Sequence, residues 1–213
     1  MSDKILLFDL DGTLIDSTEA ILEAFLQTAS DYDITLEGRE GEICSMIGMT
    51  LADMFLRIGI PSETIQECVA KYRSYYREVF LQKTFLLPNV KELLQTLPST
   101  YQMAVVTSKS HYFSEKILEN LGVLKFFYTI VGIDDVMEPK PSAEPILKAL
   151  HNLEYDSSRV FMIGDTRFDM EAAKNASVVG IGVNGKYQKD LAKYTSLVFA
   201  DMEQALRYIE ALP

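Results

Sequence analysis

The chain has 213 residues, enough for one full α/β domain with a small insertion. Hydrophobic residues make up 48% and charged residues 24% of it, values ordinary for a globular protein. A net charge of −11 argues against nucleic acid and anionic membranes as partners, because both repel a surface of their own sign.

The first predicted element is a buried strand over Ile5–Phe8, a short run with no polar residue on either face. It is too short, and too soon interrupted by Asp9, to be a secretory signal or a membrane span, so a cytoplasmic protein is expected. Cys44 and Cys68 fit reduced, buried thiols rather than a disulfide framework. From Asp16 to about Thr84 the texture is helical, and no strand pattern interrupts it. Ile21, Leu22, Phe25, Leu26 and Ala29 recur at helical spacing behind Asp16, an expected N-cap with Glu19 three residues on. Leu51, Met54, Phe55 and Ile58 form a second stripe, closed by Gly59 and Pro61. Ser62 is expected to cap a long helix with Ile65, Val69, Tyr72, Tyr76 and Phe80 on one face. Residues 71–77 interleave bases with aromatics; in so acidic a chain they read as tyrosines facing a bundle and arginines facing water.

Beyond Pro88 the pattern alternates. Strands are expected over 103–107, 128–131, 160–163, 178–183 and 197–199, with helices over 90–97, 112–121, 143–151, 170–175, 186–194 and 203–210. Such alternation implies a parallel sheet with right-handed crossovers. The fold expected is therefore a Rossmann-like three-layer α/β/α core built from residues 1–16 and 85–213. Residues 17–84 are expected to be an all-helical insertion.

Ligands of open α/β sheets bind at the carboxyl ends of the strands, and four segments place polar residues there. Asp9 and Asp11 follow the first strand and, by strand alternation, point into one space. Two carboxylates that close repel by roughly 4 kcal/mol at an intermediate dielectric, which a hard divalent cation would offset. One can attack an electrophile while the other moves a proton. An Asx turn would need only one of them. Thr107 and Ser108 end the second segment at a helix N-terminus, an anion site by its dipole, although a serine there is ordinarily an N-cap. Lys140 is third, its direction fixed by Pro139 and Pro141. The fourth segment, Gly164-Asp165, is followed by Asp169 at a helix start, where N-capping would account for one aspartate but less well for both.

Asp9-Leu10-Asp11-Gly12-Thr13-Leu14-Ile15-Asp16-Ser17 resembles the first motif of the haloacid dehalogenase-like hydrolases, most of which are phosphatases. The other three segments match the remaining motifs of that family in order. The resemblance implies that Asp9 is the nucleophile, forming an aspartyl-phosphate, and that Asp11 is the general acid and base. It implies that Thr107, Ser108 and Lys140 hold the phosphoryl group. Mg²⁺ would be held by Asp9, the Asp11 carbonyl and Asp165, with Asp169 in support. The helical insertion is similar to the cap of phosphoglycolate phosphatase-like members, and Met49 and Thr50, after Gly48, stand where a cap loop reaches the substrate. The implied substrate is a small phosphorylated metabolite (phosphoglycolate, a sugar phosphate, a nucleotide or pyrophosphate), acted on by a monomer or dimer. A phosphomutase usually has Ser-Arg where this chain has Met49-Thr50. A dehalogenase would not be expected to keep Asp11, Gly12 and Thr13, and a non-catalytic binding module would not keep all four motifs. Ala143 replaces the second proline common in the third motif, and Asn89 stands where the hinge often has glycine.

Three other signals carry less. Gly180-Ile181-Gly182-Val183-Asn184-Gly185 matches a dinucleotide fingerprint, but too late in the chain for the fold it needs, and Gly182 is expected within a strand. Asn175-Ala176-Ser177 is a glycosylation sequon without a secretory context. His111 reads as a first-turn helix residue beside the second motif, and His151 has no partner cluster.

Overall fold

The computed structural model describes residues 4–185 and 190–213. Its main sheet has six parallel strands. These are β1 (Ile5–Phe8), β4 (Gln102–Val106), β5 (Thr129–Val131), β6 (Val160–Gly164), β7 (Val179–Val183) and β8 (Val198–Phe199), in spatial order β5-β4-β1-β6-β7-β8. The first strand in sequence is thus central, with β4 on one side and β6 on the other. Its side chains alternate between two apolar clusters, Leu6 and Phe8 in one, Ile5 and Leu7 in the other. Both faces are covered, which is why the run carries no polar residue. The covering helices are α5 (Val90–Thr96), α6 (His111–Asn120), α7 (Glu144–Ala149), α8 (Arg167–Asn175) and α9 (Met202–Ala211). This is the expected α/β class.

Between β1 and α5 come α1 (Thr18–Ser30), α2 (Glu40–Ser45), α3 (Leu51–Arg57) and α4 (Ile65–Val79). Phe25 stacks on Phe55 with ring centroids 4.4 Å apart, and Tyr72 meets both edge-on. On α4, Tyr72 and Tyr76 are buried while Arg73 and Arg77 are exposed. Where the chain enters and leaves this block, β2 (Ile15–Asp16) and β3 (Phe85–Leu86) pair antiparallel. No strand was expected there, because two residues are too few to show a period. Tyr76 of α4 and Phe80, its C-cap, pack edge-on against Phe113 of α6, at 5.1 and 5.0 Å.

Several local expectations need correction. Asp16 is not the N-cap of α1: Ser17 holds that position, and Asp16 accepts from the Thr18 N–H at 3.0 Å. Ser62 opens a 3₁₀ turn, Ser62–Thr64, and α4 starts only at Ile65. Of the helix expected over 186–194, residues 186–189 lie outside the described residues, and Leu191–Lys193 form a 3₁₀ turn. α8 begins at Arg167, three residues before its expected start, because Thr166 caps it. No described helix is long and apolar enough to cross a membrane.

Candidate active site

Charge gathers where the central strands end. β1 stops at Phe8, and the Asp9 N–H still donates to the Ile163 carbonyl at 2.9 Å. Because Phe8 and Ile163 are in register on neighbouring parallel strands, Asp165, just past β6, comes out beside Asp9. α8 then returns Asp169 to the same place. Thr166 and Asp169 form a reciprocal capping box: Asp169 Oδ2 accepts from the Thr166 N–H at 3.0 Å and from its hydroxyl at 2.6 Å. Capping is therefore one part of what Asp169 does. Its other oxygen, Oδ1, accepts from Lys140 Nζ at 2.6 Å. The same ammonium donates to Asp9 Oδ1 at 2.7 Å and to the Val106 carbonyl at 3.1 Å.

Asp9, Asp165 and Asp169 are all buried, and each offers an oxygen within 4.8 Å of the others. Asp165 fits against bare backbone: a Cβ on Gly12 or Gly185 would stand 2.4 or 2.1 Å from its Oδ2. The last glycine of the apparent dinucleotide fingerprint thus makes room for an acid. Three carboxylates face one ammonium, and the imbalance shows in their acidity. Burial, aided by the charges of Asp169 and Asp11, outweighs Lys140 and pushes the Asp9 carboxyl up to about 7. Burial, then the charges of Asp9 and Asp169, holds Asp165 well above the ordinary carboxylate range. Lys140 is pulled down by burial, but Asp169 and Asp9 more than offset this and keep it above an ordinary lysine. Hard oxygen donors with excess negative charge are the set a divalent cation such as Mg²⁺ takes. The acidic triad therefore fits a metal.

Asp11 has partners of its own. One of its oxygens accepts from the Ser17 hydroxyl, and the other pairs with Lys109 Nζ at 3.2 Å. Lys109 also donates to the Tyr76 hydroxyl on α4 at 3.0 Å, and its side chain is only 8% exposed. Burial opposes the ammonium, yet Asp11 and Tyr76 raise it above the usual lysine value. Lys109 is not among the site residues expected from the sequence. The signal was its place two residues beyond Thr107, in the turn after a strand of the central sheet.

The other expected residues lie close by. Thr107 is buried, and its hydroxyl accepts from the Lys109 N–H at 3.1 Å. Ser108 donates to the Gly48 carbonyl at 3.0 Å, linking the strand end to the loop before α3. Gly48 itself has no room for a side chain: a Cβ there, at φ +102°, would stand 2.7 Å from Thr166 Cγ2. Met49 and Thr50 line one cavity together with Asp9, Asp11, Thr107 and Lys109. The Thr50 hydroxyl is engaged as the α3 cap, accepting from the Asp53 N–H at 3.1 Å and donating to its carboxylate at 2.7 Å. Ser110 holds the N-cap position of α6 without a side-chain bond. His111 opens that helix, and its Nδ1 lies 2.8 Å from Asp135.

Residues 6–183 match the family of haloacid dehalogenase-like hydrolases. The chain belongs to that family. It is 37% identical over 187 residues to the pyrophosphatase PpaX of Bacillus velezensis, covering 86% of this chain and 85% of that one. The pyrophosphatase PpaX of Halalkalibacterium halodurans is 35% identical, over 87% of each. Among solved structures, a haloacid dehalogenase-like hydrolase of Streptococcus pneumoniae superposes with a TM-score of 0.82 at 28% identity, covering 97% of this chain and 98% of that one.

Proposed function

We propose that this hydrolase cleaves small phosphomonoesters through an aspartyl-phosphate on Asp9. The observation that carries the reading is the buried Asp9 carboxylate, bonded to Lys140 within the Asp9–Asp165–Asp169 triad. A carboxylate that only stabilised a fold would not be placed among two like charges. Phosphoryl transfer asks the protein for in-line placement and charge neutralisation more than for covalent chemistry.

In this reading an Asp9 oxygen attacks phosphorus, and the bond from phosphorus to the leaving oxygen breaks. Asp11 gives that oxygen its proton. Asp11 then takes a proton from water, whose oxygen attacks the aspartyl-phosphate, releasing inorganic phosphate and restoring Asp9. Lys140 and the Thr107–Ser108 turn hold the phosphoryl oxygens, and the Lys109 and Ser17 bonds keep Asp11 aimed at the leaving-group side. Asp9, Asp165 and the Asp11 backbone carbonyl would hold Mg²⁺, supported by Asp169, whose own oxygens are taken up by Lys140 and Thr166. When bound, the ion supplies charge neutralisation for the phosphoryl group. Residues 17–84 act as a cap over a core of 1–16 and 85–213, with the β2–β3 pair as hinge and Met49 and Thr50 on the substrate side. The pyrophosphatase names of the PpaX relatives support a small phosphorylated substrate, and we place the enzyme in the cytoplasm as a monomer or dimer without nucleic acid or membrane.

Phosphate release measured across a panel of phosphoesters, with and without Mg²⁺, tests the reading. Metal-dependent release that vanishes in Asp9→Asn is the expected result. Beryllium fluoride with Mg²⁺ should inhibit as an aspartyl-phosphate mimic; activity indifferent to it would remove the covalent route.

A further inference from the structure

A cavity of about 170 Å³ lies in front of Asp9 and Asp11, and most of the hydroxyls on its wall are already engaged. Thr50 caps α3, Ser108 donates to the Gly48 carbonyl, and Tyr76 accepts from Lys109, which also holds Asp11. Tyr72 of α4 differs. Its ring is fixed, edge-on to Phe25 and Phe55 and stacked on Tyr76 at 5.5 Å, and the residue is only 4% exposed. Yet its hydroxyl has no hydrogen-bond partner among the described residues, although it lines the cavity. A phenol buried that far ordinarily finds one. Burial first, then Tyr76 and Asp11, hold this phenol well above its usual pKa, so it keeps its proton and remains a donor.

Charge on the wall is one-sided as well. Asp9 and Asp11, both used by the reaction, are the only acids among the described lining residues, in a chain of net charge −11. Arg73, next to Tyr72 on α4, borders the same cavity and has no ion-pair partner among the described residues. Ser110, at the N-cap position of α6, adds a hydroxyl without a side-chain cap bond. A hydroxyl-rich leaving group would need acceptors, but no carboxylate or carboxamide side chain lines the wall beyond Asp9 and Asp11. The wall offers unengaged donors and a cation, which is what an oxyanion requires.

We propose that Tyr72 is a specificity-determining residue, its hydroxyl binding, together with Arg73, an anionic group on the leaving part of the substrate. The chemistry is a compact oxyanion: the second phosphate of pyrophosphate or the carboxylate of phosphoglycolate. This rests on the phosphatase reading above. In the reaction the bond from phosphorus to the leaving oxygen breaks and Asp11 protonates that oxygen, while Tyr72 keeps its own proton.

The test is kinetic, with the Mg²⁺-loaded protein acting on pyrophosphate, phosphoglycolate and ethyl phosphate. Each substrate is compared with itself across variants, so leaving-group acidity cancels. Tyr72→Phe keeps the ring and its stacking and removes only the hydroxyl. It should lower kcat/KM for pyrophosphate or phosphoglycolate about tenfold more than for ethyl phosphate, the scale of one hydrogen bond to a charged group. Arg73→Met should show the same selective loss, with partial recovery in Arg73→Lys. The substrate that loses more tells whether the oxyanion is a phosphate or a carboxylate. An equal effect of Tyr72→Phe on all three substrates would give the residue a packing role only and overturns the inference. So does ethyl phosphate cleaved faster than both anionic substrates by the unsubstituted protein. If p-nitrophenyl phosphate is still cleaved in an Asp9-dependent way, the phosphatase reading survives either failure. No release from any of these substrates overturns both.

Discussion

The strand ends and the helical block meet at one cavity but are built on different physics. At the strand ends each polar group is fixed by the register of a parallel sheet. Val106 and Asp9 lie at the ends of adjacent strands and Asp169 on the helix that follows the next one, so Lys140 can reach across all three. Nothing there can shift by one residue without moving the whole sheet. The helical block has no such grid. It is held by stacked and edge-on aromatics, Phe25, Phe55, Tyr72 and Tyr76, and reaches the strand ends through single contacts such as Ser108 to Gly48 and Lys109 to Tyr76. In the proposed mechanism, chemistry belongs to the rigid sheet, and choice of substrate to the block whose packing can be varied at little cost to the rest.

The largest effects should come from the rigid side. Asp9→Asn is expected to lower turnover by about 10,000-fold or more with an unchanged circular dichroism spectrum; substantial residual activity would move the nucleophile elsewhere. Asp165→Asn should abolish the response to Mg²⁺ and, unlike most buried substitutions, stabilise the metal-free protein. The folded state holds the Asp9 and Asp165 protons more tightly than the unfolded chain does, so their contribution to stability is greatest at low pH. It is lost as pH rises, for Asp9 through about 7. Thermal melts of the metal-free protein should therefore fall between about pH 4 and 7, and Asp165→Asn should flatten that fall. At neutral pH the gain should be about 2–4 °C per kcal/mol relieved. Equal slopes in both proteins would mean that the triad is not under charge strain.

Contacts between the two regions should give intermediate effects. Lys109→Met is expected to lower kcat by about 100-fold, the scale of a misplaced acid–base group, with an unaltered Mg²⁺ titration and partial recovery in Lys109→Arg. A change confined to KM would make Lys109 a substrate contact instead. Gly48→Ala must place a Cβ against Thr166 at a positive φ, and should raise KM and lower thermal stability by roughly 1–2 kcal/mol. The smallest effect belongs to Tyr76→Phe, which removes one hydroxyl from Lys109: about 1 kcal/mol of stability, read as a small loss in melting temperature.

Much of this protein is legible in its sequence. A short apolar strand ending in Asp-x-Asp, alternation of strands and helices after residue 88, and carboxylates after two strands are local patterns, set by period and by the chemistry of side chains a few residues apart. That is why the parallel α/β class and the acidic strand ends could be read directly. What distant segments decide was not legible. Lys109 looks like a surface lysine until Asp11 and Tyr76 close on it, and Gly185 belongs to a misleading fingerprint until Asp165 is seen against its bare backbone. Asp16 and Ser62 have good capping chemistry, yet capping geometry went to a neighbour in one case and to a 3₁₀ turn in the other. The short β2–β3 pairing joins residues about seventy positions apart, a closure no local period encodes. The sequence determined which groups stand at the strand ends, because strand period and side-chain chemistry are local. Only the tertiary structure decided which charges neutralise one another and which apolar walls face them, because both depend on atoms brought together from opposite ends of the chain.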